Sequence, residues 1–231
     1  MILSIVIPAF NEEATIEEIV SKVKEAPLPE GLLKEIIIVN DGSKDRTAER
    51  LSRFSSEPGI IVLHQSNQGK TGALLTGFKN ATGDILLVQD ADMEYDPIQY
   101  PQLVQPILDG QTEVVYGSRF LGQIAGMEPV NRWANEISNL TFSFLYGFKI
   151  TDINTCYKVF TRRSWEGMTI TSKNFAFETE FTVKLLARGC AIKEVAINYN
   201  ARSKKAGKKI NWSTAMEMFW PIIKYRFTSR A

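Results

Sequence analysis

Ile85-Leu-Leu-Val88 is an unbroken aliphatic run, and Asp90 and Asp92 stand one residue apart just past its end. A short apolar run without alternation fits a strand buried on both faces. Such strands belong to parallel sheets covered by helices, and in open α/β sheets the ligand lies beyond the carboxyl ends of the strands. Asp90 and Asp92 therefore fall where a ligand is expected. Two neighbouring hard oxygen donors repel each other unless a cation relieves them, which reads as a divalent-metal site. The same stretch also reads as an acidic turn, because Asp96-Pro97 has the form of a cap and the first residue of a helix.

The pattern recurs along the chain. Residues 3–7, 35–39 and 60–63 are further apolar strands, and residues 11–25, 45–54 and 71–80 carry helical patterns between them. Strands alternating with helices through short connections predict an α/β fold with a mostly parallel central sheet and right-handed crossovers. The second half is less regular. Strands are expected at 113–116, 158–160 and 191–199, and helices at 100–108, 131–146, 177–188 and 214–227. Residues 120–131, with Gly122, Gly126 and Pro129, read as a mobile loop. No repeat or long linker divides the 231 residues, so one domain is expected.

Several function classes are excluded or weakened. The formal net charge of +1 supplies no global field for nucleic acid. His64 is the only histidine, which leaves no His-rich zinc site and little room for Ser-His-Asp chemistry. Cys156 and Cys190 lack metal-ligand spacing and read as thiols in a reducing compartment. The first strand begins at the N-terminus with no charged leader, so no signal peptide is expected. No apolar stretch approaches the ~20 residues needed to span a bilayer. The expectation is a cytoplasmic protein, soluble or attached to the cytoplasmic face of a membrane from one side.

Polar residues follow each strand: Asn11-Glu12, Asn40-Asp-Gly-Ser43, Asn67-Gln-Gly-Lys70 and Asp90-Ala-Asp92. In one parallel sheet they line one edge. Asp41 reads either as an acceptor for the N–H groups of a uracil or guanine edge, or as an N-cap or Asx turn. Gly69 permits close backbone approach and Lys70 suits a phosphate. The full P-loop spacing is missing, and no Gly-x-Gly-x-x-Gly follows the first strand.

Taken in order, Pro8-Ala-Phe-Asn-Glu12, Val39-Asn-Asp-Gly-Ser43, Asn67-Gln-Gly-Lys70, Asp90-Ala-Asp92 and Gly117-Ser-Arg-Phe120 resemble the family 2 glycosyltransferases of the GT-A fold. Within them the chain is most similar to the dolichol-phosphate mannose synthase group, which moves a sugar from a nucleotide to a polyprenyl phosphate. The resemblance continues through residues 152–158, Phe177-Glu-Thr-Glu180 and Arg202, and so covers nearly the whole chain. It implies a single Rossmann-like domain with a nucleotide-binding half at 1–97, an acceptor and sugar half at 98–213, and an amphipathic C-terminal helix at 214–231.

The resemblance also implies roles. Pro8, Phe10, Glu12 and Asp41 would frame the nucleoside, with Asn67, Lys70 and Ala91 beside them. Asp90 and Asp92 would carry Mg²⁺ or Mn²⁺ on the diphosphate, with Glu94 as third ligand where relatives often have Gln. Asp152, Lys158 and Glu180 would shape the sugar pocket. Arg119, Arg132 and Ser138 would hold the acceptor phosphate; the serine is displaced from its usual place, with Glu136 standing there. Asp92, Arg119 and Arg202 form the implied catalytic set. The donor would be GDP-mannose or UDP-glucose, and the acceptor a dolichol or undecaprenyl phosphate. Plainer readings stand beside these. Arg119 and Arg132 also read as surface cations, Asp152 as a turn cap, Glu178 and Glu180 as the polar face of a helix, and the C-terminal aromatics as core.

A phosphate acceptor is already ionised and needs positioning rather than a base. Arg119 and the cationic run 202–209 suit that case, which implies an inverting single displacement. Beyond Arg202 the chain carries seven more Lys and Arg (Lys204, Lys205, Lys208, Lys209, Lys224, Arg226 and Arg230) against one acid, Glu217, and with Phe219, Trp220 and Phe227 this reads as peripheral membrane contact. Three alternatives remain. A transferase acting on a glycan or protein hydroxyl would need a base, with Glu180 the candidate. A nucleotidyltransferase would want a Gly-rich, Arg-containing loop after the first strand. A non-catalytic nucleotide-sugar module would not need Asp90, Asp92, Arg119 and Lys158 intact.

Overall fold

The structure, a computed structural model, describes residues 1–173, 176–202 and 212–228, and within the last segment the side chains of 219–227. Its centre is a seven-stranded sheet in the order β3-β2-β1-β4-β7-β5-β8. The strands are β1 (Ile2–Ala9), β2 (Leu33–Asp41), β3 (Ile60–Gln65), β4 (Ile85–Val88), β5 (Val114–Ser118), β7 (Lys158–Thr161) and β8 (Ile192–Ala196). β1, β2, β3 and β4 run parallel, as do β5 and β8. β7 is antiparallel to both its neighbours, β4 and β5. The mostly parallel sheet is as expected, and the reversed β7 joins its two parallel parts.

Every residue of β4 is buried, and the middle of β1 and β2 is buried as well. That is the physical reason these strands read as continuous apolar runs: helices cover both faces. The polar exception inside β1 is Ser4, whose hydroxyl donates to Glu35 and accepts from Gly83 N–H. Helix α3 (Gly69–Asn80) packs on β1 and β2 so closely that a Cβ on Gly77 would lie 2.2 Å from Val6 Cγ1. Helices α1 (Ile16–Glu25), α2 (Thr47–Leu51), α4 (Tyr100–Leu108), α5 (Pro129–Tyr146), α6 (Arg162–Trp165), α7 (Phe177–Ala187) and α8 (Trp212–Thr228) complete the layers. Among the described residues no helix is long and apolar enough to cross a membrane.

Three local expectations are corrected. Helix α1 starts at Ile16 rather than at residue 11. Asn11 sits at φ 55° and ties across to the next loop, donating from its N–H to Ser43 Oγ and accepting Lys44 N–H on Oδ1. Helix α2 starts at Thr47 because Asp45 Oδ1 takes the Thr47 N–H in a local turn that competes with helix. The stretch 120–131 is anchored. A 3₁₀ turn at Arg119–Leu121 leads to β6 (Ile124–Ala125), which pairs in parallel with β9 (Tyr199–Asn200). Gly122 permits this, since a Cβ there would lie 2.1 Å from Ile197 O.

Candidate active site

A pocket opens beyond the carboxyl ends of β1, β2 and β4. Pro8, Phe10 and Glu12 come from the turn after β1, Asp41 from the end of β2, and Asn67, Gly69 and Lys70 from the entry to α3. Asp90, Ala91 and Asp92 follow β4, and Arg202 closes the rim from 190 residues downstream of Glu12. The strands thus gather the polar turns on one edge, where an open α/β sheet holds its ligand.

Asp41 builds the turn that opens α3. Its Oδ1 accepts from Gln65 Nε2 at 2.6 Å and Gln68 N at 2.8 Å, and its Oδ2 accepts from Gly69 N at 2.8 Å. Gly69 adopts φ 78° there, a conformation glycine takes without steric cost. The turn delivers Lys70, whose Nζ lies 2.9 Å from Asp90 Oδ1 and 3.3 Å from Glu178 Oε1. Burial works to lower the Lys70 pKa, but the Asp90 and Glu178 carboxylates overcome it and hold the ammonium well above its usual range. The other oxygen of Glu178 is buried without a hydrogen-bond partner among the described residues.

Arg202 mirrors Lys70 on the second aspartate. Its Nη2 is 3.2 Å from Asp92 Oδ2 and its Nη1 is 3.4 Å from Glu12 Oε2. Glu94 holds the segment that carries Arg202, accepting the Arg202 N–H at 2.9 Å and the Tyr199 hydroxyl. Burial first, then the charges of Asp90 and Glu94, push the Asp92 carboxyl up to about 7 against the pull of Arg202.

This donor set fits a divalent cation. Among the described residues, Glu12, Asp90, Asp92 and Glu94 gather around Lys70 and Arg202, and after burial the nearby Asp90 and Glu94 charges add to the raised Asp92. Asp90 and Asp92 are hard oxygen donors of the type Mg²⁺ and Mn²⁺ take. Among the described residues no three His, Cys, Asp or Glu side chains are already gathered as a metal cage. Asp90 and Asp92 are engaged in separate ion pairs instead, and Glu94 is occupied by Tyr199 and Arg202.

Arg119 lies in the other half, at the end of β5. Its Nε and Nη2 meet Asp152 Oδ2 and Oδ1, each at 2.7 Å, and its backbone N–H also donates to Oδ2 at 3.0 Å. Both side chains are buried. Asp152 overcomes the cost of burial and holds the guanidinium well above its ordinary range. Arg119 Nη2 also donates to Asn135 of α5, and its guanidinium lies 5.1 Å from the centre of the Tyr199 ring. Through Tyr199 and Glu94 the pair reaches the Asp92 side of the pocket.

The other expected residues stand apart from that pocket. Arg132 is exposed on α5 and pairs with Glu136 at 2.9 Å. Ser138 donates to Ala134 O within the same helix. Lys158 is buried, donates to Ile153 O and Thr155 O, and is lowered to about 8 by burial. Glu180 accepts the N–H groups of Thr171 and Ser172 and pairs with Lys184 at 2.7 Å. Lys204, Lys205, Lys208 and Lys209 lie outside the described residues. Two contributors were not singled out from sequence: Asn135, which steadies Arg119, and Tyr199, which steadies Glu94. A signal existed for the first, since Asn131, Asn135 and Asn139 recur every four residues and make one polar stripe on α5.

Residues 4–167 match the sequence profile of glycosyl transferase family 2. The chain belongs to that family. It is 31% identical over 207 residues to a low-salt glycan biosynthesis hexosyltransferase of Haloferax volcanii, covering 88% of this chain and 49% of that one. It is 31% identical over 193 residues to an undecaprenyl-phosphate 4-deoxy-4-formamido-L-arabinose transferase of Pseudomonas aeruginosa, covering 82% and 54%. The chain thus spans about half the length of these curated relatives. Among solved structures, glucosyl-3-phosphoglycerate synthase of Mycobacterium tuberculosis in complex with UDP superposes with a TM-score of 0.75 at 21% identity, over 97% of this chain and 79% of that one. The fold is therefore GT-A, as the sequence resemblance implied.

Proposed function

We propose that the protein transfers a hexose from a nucleotide-diphosphate sugar to a polyprenyl phosphate, with inversion and with a divalent metal. The observation that carries this reading is the pocket itself, where two aspartates, a lysine and an arginine meet beyond the parallel strands. The names of the curated relatives support the lipid phosphate acceptor. They include an undecaprenyl-phosphate transferase and a dolichol-phosphate mannosyltransferase of Pyrococcus furiosus that is 36% identical over 122 residues, 52% of this chain and 34% of that one. The M. tuberculosis synthase crystallised with Mn²⁺ and UDP supports a metal-bound nucleotide diphosphate.

The donor's C1–O bond breaks with its electron pair going to the departing diphosphate, while an acceptor phosphate oxygen forms the new bond from the opposite face. Asp90 and Asp92 would hold a divalent cation, which would supply positive charge to offset that of the departing diphosphate. Lys70 and Arg202 are ion-paired to those aspartates and would offer positive charge to the leaving diphosphate. The acceptor phosphate carries no proton that must leave, so no base is required. Glu180, the carboxylate a hydroxyl acceptor would need, is spent on Thr171, Ser172 and Lys184. That favours the phosphate over a glycan or protein hydroxyl. Arg119 and Asp152 would order the acceptor side.

The test is transfer of labelled hexose from GDP-mannose or UDP-glucose to a polyprenyl phosphate, with Mg²⁺, Mn²⁺ or chelator. Asp92→Asn should abolish the labelled lipid and Glu180→Gln should retain it. Full activity of Asp92→Asn, or label found only on hydroxyl acceptors, would overturn the reading. We place the reaction at the cytoplasmic face of a membrane, where a lipid phosphate meets a soluble nucleotide sugar.

A further inference from the structure

Glu94 stands at the place the resemblance gives to a third metal ligand. The chain turns away from the pocket just before it. Met93 adopts φ 64°, in the left-handed region that residues with a side chain seldom enter. Asp92 Oδ1 accepts the Glu94 N–H at 3.1 Å and closes that turn. Asp90, Ala91 and Asp92 line the pocket, whereas Glu94 is only 6% exposed and takes no part in the lining.

Both carboxylate oxygens of Glu94 meet the segment 199–202 instead. Oε2 accepts the Tyr199 hydroxyl, and Oε1 accepts the Arg202 N–H at 2.9 Å. The backbone adds to this. Glu94 O accepts the Asn200 N–H at 3.2 Å, and Tyr95 forms an antiparallel bridge with Tyr199, their rings 5.1 Å apart. The β6 side holds the same segment: Gln123 O accepts the Tyr199 N–H and Ala125 O accepts the Ala201 N–H, each at 2.9 Å. Arg202 leaves this anchored segment for the pocket rim, where its guanidinium reaches Asp92 and Glu12. Its Nε is buried without an acceptor among the described residues, so one of its donors is still unmatched.

We propose that Glu94 is a positioning residue for Arg202 and not a ligand of the cation. It fixes the backbone from which Arg202 projects, so that the guanidinium meets a nucleotide diphosphate already oriented. The residue type fits this role. A carboxylate accepts from both the Tyr199 hydroxyl and the Arg202 N–H, whereas an amide would turn an NH₂ donor toward one of them. A cation at Asp90 and Asp92 does not need Glu94, because one or two carboxylates with phosphate oxygens and water satisfy Mg²⁺. The inference rests on the reading of the pocket as a nucleotide-diphosphate site.

The test is binding of UDP and GDP to the full chain at saturating Mn²⁺. Isothermal titration reads the affinity, and electron paramagnetic resonance of the bound Mn²⁺ in isotopically labelled water reads how many waters it carries. Glu94→Leu can accept neither hydrogen bond and should weaken the bound nucleotide about tenfold or more, as should Arg202→Met. The double variant should lose no more than Arg202→Met alone, because Glu94 acts through Arg202. Glu94→Gln should recover part of the affinity through the Arg202 N–H bond. Tyr199→Phe removes one donor only, should lose about threefold, and carries the same cycle if Glu94→Leu does not fold. The water count on Mn²⁺ should be the same in wild type and Glu94→Leu, since no ligand is lost. One additional water in Glu94→Leu, or losses that multiply in the double variant, overturns the proposal. Failure of the wild-type chain to bind Mn²⁺ with either nucleotide overturns the donor-site reading and this proposal with it. Binding that follows these expectations, with no transfer to any polyprenyl phosphate, upholds the role of Glu94 and overturns only the acceptor reading.

Discussion

Replacing Asp152 by Asn is the most informative single change in the acceptor half. The side chain keeps its shape but loses its charge, and one of its oxygens becomes an NH₂ group. Asp152 is fully buried and accepts three hydrogen bonds from Arg119, two from the guanidinium at 2.7 Å and one from the backbone at 3.0 Å. After the change the guanidinium stays charged, because arginine does not give up its proton in proteins. Its burial is then uncompensated, and one donor faces another donor. Breaking a buried ion pair from one side costs about 3–5 kcal/mol. For a chain of 231 residues that corresponds to a fall in Tm of roughly 6–20 °C, at about 2–4 °C per kcal/mol. Urea unfolding followed by circular dichroism and by tryptophan fluorescence reads the loss and checks that the transition is two-state. The double variant Arg119→Met, Asp152→Leu should lose less than Asp152→Asn alone, because no buried charge remains. A loss under about 1 kcal/mol for Asp152→Asn would show that water reaches the pair, and would refute the idea that Arg119 is held rigidly for the acceptor.

Three further outcomes follow from the same geometry. Glu180 accepts the Thr171 and Ser172 N–H groups and pairs with Lys184; burial opposes these contacts, yet they hold its carboxyl below the ordinary range. Its contribution to stability is therefore present above the unfolded-state value near ~4.3 and is lost as pH falls toward the folded value, so Glu180→Gln should flatten the acid limb of a stability–pH profile. Gly77→Ala should destabilise the chain by about 1–3 kcal/mol in the same urea assay, because the added methyl meets Val6 within α3's close approach to β1. Isothermal titration with Mn²⁺ should lose its signal in Asp90→Asn and in Asp92→Asn; undiminished binding in both would remove the metal from the site.

Much of the frame was legible in the chain because buried parallel strands write themselves as unbroken apolar runs. Residues 36–39 and 85–88 read as strands for that reason, and the polar turns after them read as one edge because parallel strands share a direction. The antiparallel β7 was not legible as such: Lys158-Val-Phe160 shows a strand but carries no mark of its orientation. The start of α1 was misplaced because Asn11 has a good capping side chain, and its actual partners, Ser43 and Lys44, lie more than thirty residues away. The stretch 120–131 looked mobile because glycines leave local sequence open, while the contact that needs Gly122 belongs to Ile197.

The sequence by itself determined the α/β class and the family, through the order of strands, helices and motifs along the chain, and the placing of Asp90, Asp92 and Arg119 at strand ends, through the apolar runs just before them. Tertiary structure alone decided which charges meet. Lys70 with Asp90, Arg202 with Asp92 and Arg119 with Asp152 are pairs made across twenty to one hundred and ten positions. It also decided that apolar residues of α5, Trp133, Leu140 and Phe144 among them, face outward. Periodicity shows that a helix has two faces, but only the packing partners, here Arg119 and the 151–154 turn, settle which face the molecule keeps.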